Sequence, residues 1–404
     1  MARLSKEELD KIKKKYSVSR IWSWSRVNTY MTSKYEYMLK YVKHVPEDRQ
    51  DCGYAPLGSI AHDTLDAFYE GKINYEDMLS QFQDGWMTAI DIADLKLDRN
   101  DEEHDASIKK KYHEDLQHFF ENHVKYEHKL LIEKPILAKV GTNVLVGYVD
   151  AMFKDSGGNY HIVDFKTSSK YTGKTAEEKS GQLVVYAMGL IQAGVPLEKV
   201  RICWNFLKFC NIEYQQKNGA VKTKIAERCK IGDSLKTNAK MWLKDAGYSE
   251  EEVDDYLKLL IDTNNIDALP DEVRCKYKMA DCHVYVPLTQ ELIDKWTDII
   301  TTNIRDIYAR EKDYKETGSD ECFWDDDDSV KKESYYFSTL MAYSQNLHKP
   351  YKKYLDQLEA QKNGVNFFSG VGESSENDVV TSKDICNNAK SNDEVDLSWL
   401  DEIE

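Results

Sequence analysis

The sequence has no long apolar run and no recognisable leader. No stretch of its 404 residues approaches the roughly 18–20 consecutive apolar residues that a membrane helix needs. Residues 1–6 are polar and lead into the lysine-rich stretch 11–15 without an apolar segment, so no signal peptide is predicted. Hydrophobic residues still make up 41% of the chain, enough for a sizeable core. We expect a soluble, cytoplasmic, globular protein without a membrane partner.

Paired cysteines and an excess of positive charge are also missing. The eight cysteines contain no CxxC pair, and in a cytoplasmic chain such residues are mostly small and buried, so a disulfide framework is not expected. The net charge of −16 argues against a protein that coats nucleic acid through bulk positive charge. Half of this excess lies in residues 365–404, which hold ten acids and two bases. Local basic strips in the mildly acidic remainder could still guide a phosphate backbone.

Short β-rich runs stand between two regions of helical pattern. Apolar spacing predicts helices over 5–45 and 58–69, followed by charged helical sequence to about residue 129. From there the pattern predicts three strands joined by tight turns, then a helix and a further strand, over the ranges 130–136, 144–150, 160–166, 175–193 and 200–215. This order predicts an α+β fold.

Three polar residues lie on two of the three predicted strands that tight turns join, at a spacing that would bring them together. Because side chains alternate along a strand, Asp164 and Lys166 share a face, and pairing across the turn at 155–159 brings Asp150 beside Asp164. Two close carboxylates suit Mg²⁺ or Mn²⁺, and a neighbouring ammonium can neutralise charge at phosphorus. The pattern fits metal-assisted phosphodiester hydrolysis; an exposed, salt-bridged strand face is the alternative.

Further segments accompany this triplet in a fixed order. They are Gly58-Ser59-Ile60-Ala61-His62, Glu133, Gly147-Tyr148-Val149-Asp150 and Gln182-Leu183-Val184-Val185-Tyr186. An early helix, residues 23–30, matches the pattern S-x-S-x-[LV]-x-x-[FY]. Over residues 21–187 the chain therefore resembles the PD-(D/E)XK nuclease superfamily, and specifically its RecB-like branch, which includes CRISPR-associated and phage exonucleases.

The resemblance implies a role for each matching residue on the strands and the first motif helix. His62, Asp150 and Asp164 correspond to ligands of a metal ion, Mg²⁺ or Mn²⁺. The backbone carbonyl of Phe165 corresponds to a further ligand, and Lys166 to the catalytic lysine. The implied fold is a restriction-endonuclease-like core, a mixed central sheet flanked by helices, with helical additions at both ends.

Three more residues complete the implied site. Gln182 and Tyr186 lie four apart, on one helix face, and correspond to a signature that positions DNA and supports the lysine. Core packing is the alternative for Tyr186. Glu133 is a candidate further metal ligand, and a salt bridge to Lys134 or Lys139 on a strand edge is the alternative.

The chain departs from the iron–sulfur members of the branch. Those members place one cysteine after the first motif helix and three near the end of the nuclease domain. Thr32-Ser33 and residues 335–341 occupy these regions here and contain no cysteine. Cys322 and Cys386 alone cannot hold a four-cysteine cluster, so no iron–sulfur cluster is predicted.

Composition and resemblance together divide the chain into four predicted regions. These are a helical region with the histidine motif, the PD-(D/E)XK core, a helical insertion with a closing region, and an acidic disordered tail, over residues 1–130, 131–230, 231–362 and 363–404. A last helix is predicted over 334–362, and the four aspartates at 325–328 predict an acidic surface loop.

Two segments are candidate contact regions. Ser168, Lys170 and Lys174 follow the catalytic strand and suit phosphate contacts, with a solvated polar loop as the alternative. The tail carries apolar residues among acids that could dock in a replisome or recombination partner, namely Leu397, Trp399 and Leu400. The tail could instead occupy the DNA channel of its own chain, or act only as a solubilising segment.

The sequence therefore predicts a divalent-metal-dependent DNA nuclease, an exonuclease acting on ends or single strands in phage or bacterial replication, recombination or repair. Asp150, Asp164 and His62 would hold the metal, and Lys166 would assist water or stabilise developing charge. The alternative is a catalytically silent scaffold that keeps the fold and recruits a partner through its tail. An RNA nuclease would use the same residues and stays open.

Overall fold

The computed structural model describes residues 4–47, 51–327, 343 and 356–360. Seven strands of this part form one mixed sheet: β1 (Ile21–Trp22), β2 (Leu131–Val140), β3 (Asn143–Lys154), β4 (Tyr160–Lys166), β5 (Val200–Gln215), β6 (Val221–Glu227) and β7 (Tyr277–Val286). Antiparallel pairing joins β2 to β3 and β3 to β4, whereas β4 and β5 run parallel. β1 and β7 enter this sheet from outside residues 131–230, pairing with β3 and β5.

Helices surround the sheet. They are α1 (Lys6–Tyr16), α2 (Trp24–Thr32), α3 (Lys34–Tyr37), α4 (Tyr54–Tyr69), α5 (Asp77–Trp86), α6 (Glu102–Asn122), α7 (Lys174–Lys179), α8 (Gly181–Gln192), α9 (Ile231–Asp245), α10 (Glu250–Thr263), α11 (Asp271–Arg274) and α12 (Gln290–Thr317). The mixed sheet flanked by helices that the sequence predicted is confirmed. Within the described ranges, no helix combines the length and the apolar character that a bilayer crossing requires.

The prediction of continuous helix over 5–45 is wrong at two points: between Ser17 and Ser23, and at Ser33, whose extended conformation separates α2 from α3. Ser17 adopts a left-handed conformation with φ 53° and ends α1, and Ser23 accepts a hydrogen bond from the Arg26 amide and begins α2. Between them Ile21 and Trp22 pair in parallel with β3. A β-branched and an aromatic residue suit this short strand, whose partner lies more than 100 residues away.

Two apolar clusters cover opposite faces of the sheet. Ile162 of β4 belongs to the cluster that α2, α8 and α12 complete, and Val163 and Phe165 belong to the one that α4, α5 and α6 complete. Alternation along β4 therefore turns Asp164 and Lys166 toward the α8 side. A third cluster packs α9, α10 and α11 against the far ends of β5 and β7.

The aspartate run at 325–327 agrees with the predicted surface loop at Asp325 and Asp326, which are exposed, and departs from it at Asp327. Asp326 pairs with both Lys34 and Arg310, at 2.7 and 2.8 Å. Asp327 is buried and accepts hydrogen bonds from the Ser33 hydroxyl and the Lys34 amide. The run therefore links Arg310 of α12 to Lys34 at the start of α3. Asp328, most of the helix predicted over 334–362, and the tail lie outside the described residues.

A buried polar network ties α6 to β7. The Asp281 carboxylate accepts hydrogen bonds from Arg228 at 2.6 Å and from His123 at 2.7 Å. The other ring nitrogen of His123 lies 2.6 Å from the Tyr69 hydroxyl, and Arg228 also reaches Nδ1 of His118 at 3.3 Å. Every charge in this network meets a partner, which is the condition for burying it.

His118 is expected to make the fold acid-sensitive. Burial, and then the charge of Arg228, lower its pKa to about 4. The unfolded ring, with a pKa near 6.5, takes up a proton before the folded ring does, so stability is complete above about pH 6.5 and falls as the pH drops toward 4. We expect His118→Gln to remove about 2 kcal/mol of the stability difference between pH 7 and pH 4.5, measured by urea unfolding. If the unfolding free energy of the wild type and of His118→Gln changed equally with pH, this prediction would be contradicted.

Candidate active site

The structure brings the two predicted aspartates together. Ala151 pairs with Val163 across the β3–β4 ladder, so the preceding Asp150 faces the following Asp164. Oδ2 of Asp150 accepts a hydrogen bond of 2.9 Å from the Phe165 amide. Both side chains are enclosed, with exposed fractions of 9% for Asp150 and 1% for Asp164. The tight turn between the strands, with Gly158 at φ 75°, permits this pairing.

The charges at this point are not balanced by the described side chains alone. Burial, and then the neighbouring Asp164, raise the pKa of Asp150 well above its usual value. Nζ of Lys166 lies 2.5 Å from Oδ2 of Asp164. Neither oxygen of Asp164 accepts a well-directed hydrogen bond from a described residue, although both are buried. Such a pair of carboxylates favours an added cation.

His62 completes one side of this cluster from α4. Its Nε2 lies 3.0 Å from the Phe165 carbonyl oxygen, and its Nδ1 lies 3.6 Å from Oδ2 of Asp150. Burial lowers the pKa of the ring, which favours the neutral imidazole, the form that binds metals. Three of the predicted ligands, His62, Asp150 and the Phe165 carbonyl, therefore meet at one place.

In the described ranges, no group of three His, Cys, Asp or Glu side chains is already arranged to hold a metal ion. His62 is engaged with the Phe165 carbonyl, and the Lys166 ammonium stands against Asp164. The donor set of carboxylates, a carbonyl and one neutral imidazole still suits Mg²⁺ or Mn²⁺.

A further acidic group was missed by the sequence analysis. Asp66 lies one helical turn after His62 on α4, and burial, then the charges of Glu133, Glu70 and Asp63, raise its pKa to about 7. The i, i+4 spacing from His62 was the signal that could have found it. Glu133 itself has φ 51°, and its charge also raises the pKa of Asp150. The negative cluster therefore extends from β3 and β4 to β2 and α4.

Gln182 and Tyr186 meet as their spacing predicted. The Gln182 side-chain amide donates a hydrogen bond of 2.9 Å to the Tyr186 hydroxyl. The tyrosine ring fits against Gly147, where an added Cβ would lie 2.3 Å from Cε1. Burial raises the pKa of Tyr186 and keeps its hydroxyl protonated. Gly147 is therefore required for space, and the pair is fixed beside β3.

The predicted DNA-contact residues occupy different surroundings in the loop after β4. Lys174 is exposed, with its ammonium 3.6 Å from Glu178. Lys170 lies over the Phe209 ring at 5.2 Å, and Ser168 lines a cavity of about 700 Å³ together with Lys208. The predicted docking residues Leu397, Trp399 and Leu400 lie outside the described residues.

Comparison with known proteins identifies the family. A search of the curated proteins returned no match. A family model, described as the PD-(D/E)XK nuclease superfamily, matches residues 21–324, about three quarters of the chain. The matched span contains the strands and helices that carry His62, Asp150, Asp164, Lys166 and Tyr186. The chain thus belongs to the PD-(D/E)XK nuclease superfamily.

Proposed function

We propose that this nuclease is a divalent-metal-dependent DNA exonuclease of the RecB-like type, acting on ends or single strands. One observation carries the proposal. Inside the matched span, a lysine lies 2.5 Å from the second of two adjoining buried aspartates. A purely structural sheet has no need to bury this excess of negative charge, because each unsatisfied carboxylate costs folding free energy.

Asp150, Asp164, His62 and the Phe165 carbonyl would hold the metal. The buried Oδ1 of Asp164, which accepts no hydrogen bond from a described residue, and the raised pKa of Asp150 support this assignment. A bound Mg²⁺ or Mn²⁺ polarises the scissile phosphate and lowers the pKa of an attacking water. Glu133 is proposed as an accessory acid. The absence of an iron–sulfur cluster stays a prediction from the cysteine positions.

The remaining residues would neutralise charge on the phosphate and fix one wall of the site. Burial alone would lower the pKa of Lys166, but the charges of Asp164 and Asp150 outweigh it and raise the pKa, so the ammonium stays charged. That charge can stabilise the negative charge that develops on the phosphate. Gln182 holds the Tyr186 hydroxyl, and the pair fixes the wall of the site beside β3.

The RecB-like assignment rests on the resemblance of the histidine motif and of the Gln182–Tyr186 spacing to the motifs of that branch. A role in phage or bacterial replication, recombination or repair follows as a proposal from that branch. Docking of a partner through Leu397, Trp399 and Leu400 is proposed from the sequence pattern.

The proposal is tested with end-labelled DNA. Single- and double-stranded substrates, linear and circular, are incubated with Mn²⁺, Mg²⁺ or EDTA. We expect metal-dependent loss of linear DNA, survival of circles, and no cleavage by Asp164→Asn, which keeps the shape of the side chain and removes its charge. Asp271→Asn at an exposed surface carboxylate is the matched control and should cleave normally.

Two outcomes would overturn parts of this assignment. Cleavage by Asp164→Asn at the wild-type rate would refute the proposed site. Cleavage of circular DNA would show that the activity is that of an endonuclease. DNA binding without cleavage under any metal would favour the silent scaffold. In that case deletion of residues 365–404 should abolish partner recruitment.

A further inference from the structure

A cavity of about 620 Å³ opens directly beside the proposed catalytic lysine. Four aromatic side chains contribute to its lining, together with Lys166 and Gln182: Trp24, Tyr171, Trp204 and Trp296. The first comes from α2, the second from the loop after β4, the third from β5 and the fourth from α12. Four separate segments therefore place aromatic rings around one opening next to the reacting centre.

The rings are arranged in two edge-to-face pairs. Trp24 meets Trp296 at 5.4 Å with an interplanar angle of 79°, and Tyr171 meets Trp204 at 5.1 Å with an angle of 83°. Trp204 and Trp296 are buried, whereas Trp24 and Tyr171 are half-buried. The buried member of each pair fixes the half-buried member, which keeps ring surface toward the cavity.

Local packing holds this arrangement in place. An added Cβ on Gly181 would lie 2.0 Å from the Trp24 ring, so the helix start is shaped to receive the indole. The Trp296 indole donates a hydrogen bond of 3.0 Å to the buried Ser180 hydroxyl. Trp24 stands at a variable position of the S-x-S-x-[LV]-x-x-[FY] pattern, so the superfamily resemblance assigned it no role.

Polar groups of the lining suit a nucleotide. Lys179 and Asn28 are exposed at the cavity, and Lys166 supplies a second cation at its inner end. Among the described residues that line the cavity, Glu178 is the one acidic side chain. Aromatic faces with lysines beside them are the combination by which proteins hold unpaired bases and their phosphates.

We infer that this cavity is a base-stacking subsite for one unpaired nucleotide next to the scissile phosphate, so that the preferred substrate is single-stranded DNA. The inference rests on the proposed nuclease function and adds the substrate class to it. The volume lies within the roughly 300–1,000 Å³ that proteins use for small ligands. It suits a single base and sugar, whereas a base-paired duplex would have to open before entering.

Binding of a labelled dodecathymidylate in EDTA tests the subsite without cleavage. By fluorescence anisotropy, Trp24→Ala should weaken binding roughly 5- to 150-fold, and Trp24→Phe should retain most of the affinity. Trp242→Ala is the matched control and should leave binding unchanged, because this half-buried tryptophan of α9 instead donates a hydrogen bond to the Gln215 carbonyl and lies under Lys276. Thermal unfolding of each variant shows whether it is folded.

The same subsite is tested from the DNA side. Dodecamers with one abasic position, scanned along the strand, should show one position that weakens wild-type binding by a similar factor. An abasic substitution at that position should weaken the binding of Trp24→Ala little further, because the DNA change and the protein change remove the same contact. If Trp24→Ala does not fold, the scan on the wild-type protein and on Tyr171→Leu replaces it.

The outcomes separate the subsite from the nuclease proposal. Unchanged dodecamer affinity in folded Trp24→Ala, or equal sensitivity at every abasic position, would overturn the subsite even if cleavage is normal. A sensitive abasic position in a protein that cleaves no DNA would keep the subsite and overturn the nuclease proposal. Tighter binding to a blunt duplex than to the dodecamer would overturn the single-strand preference.

Discussion

Replacing Lys166 with alanine is expected to lower the turnover of DNA cleavage by about 10²- to 10⁴-fold, the range found for a removed charge-stabilising or proton-transferring group. The affinity for Mn²⁺ should stay the same or become tighter. Nζ of Lys166 lies 2.5 Å from Oδ2 of Asp164, so its removal leaves a more negative site. A lysine that acts on the phosphate and does not bind the metal should lower turnover on removal without weakening Mn²⁺ binding.

The measurement pairs single-turnover cleavage at saturating Mn²⁺ with calorimetric titration of Mn²⁺. Lys217→Ala is the matched control, because it removes a lysine from an exposed Lys–Asp pair, 2.8 Å from Asp245. Lys166→Arg keeps the charge but changes its geometry, so only part of the activity should return. Parallel losses of turnover and Mn²⁺ affinity in Lys166→Ala would show that the lysine acts through the metal site instead.

The core of the site could be predicted because its geometry is local. Strand alternation places Asp164 and Lys166 on one face, and a five-residue turn sets Asp150 opposite Asp164. The structure shows Lys166 and Asp164 in contact at 2.5 Å, and the β3–β4 register that pairs Ala151 with Val163 leads to Asp150 and Asp164 as the next opposing residues. The Gln182–Tyr186 pair is equally local, since residues four apart on a helix are neighbours.

Other parts depend on contacts distant in sequence. The two residues of β1 carry no period that could reveal a strand, and their partners are residues 144 and 145 of β3. The aromatic cavity draws on four separate segments, so no single window of sequence contains it. Asp327 is buried because Ser33 and Lys34 hydrogen-bond to it from about 290 residues away, a pairing that composition cannot reveal.

Replacing Asp281 with alanine is expected to cost about 3–5 kcal/mol of unfolding free energy, among the largest effects that one substitution outside the site can have here. The carboxylate is almost fully enclosed and bonds Arg228 and His123 at 2.6 and 2.7 Å. Its removal leaves the buried guanidinium with an uncompensated charge. The loss therefore reflects the orphaned partner more than the pair itself.

Chemical unfolding of Asp281→Ala and of Asp267→Ala measures the difference. Asp267 also pairs with an arginine, Arg274 at 3.2 Å, but both side chains are exposed, so its removal should cost less than about 1 kcal/mol. Equal losses in the two variants would mean that burial does not govern the Asp281 contribution.

The pH dependence of Asp281→Asn checks the same contribution from its charge. Burial would raise the pKa of Asp281, but the hydrogen bond and charge of His123, and then Arg228, outweigh it and lower the pKa. A carboxylate with a lowered folded pKa stabilises the fold above its unfolded value near 4, and the contribution is lost as the pH falls through the folded value. The stability gap between the wild type and Asp281→Asn should therefore be complete at pH 6 and narrow below about pH 4. A gap that persists unchanged at pH 3 would assign the effect to packing and not to charge.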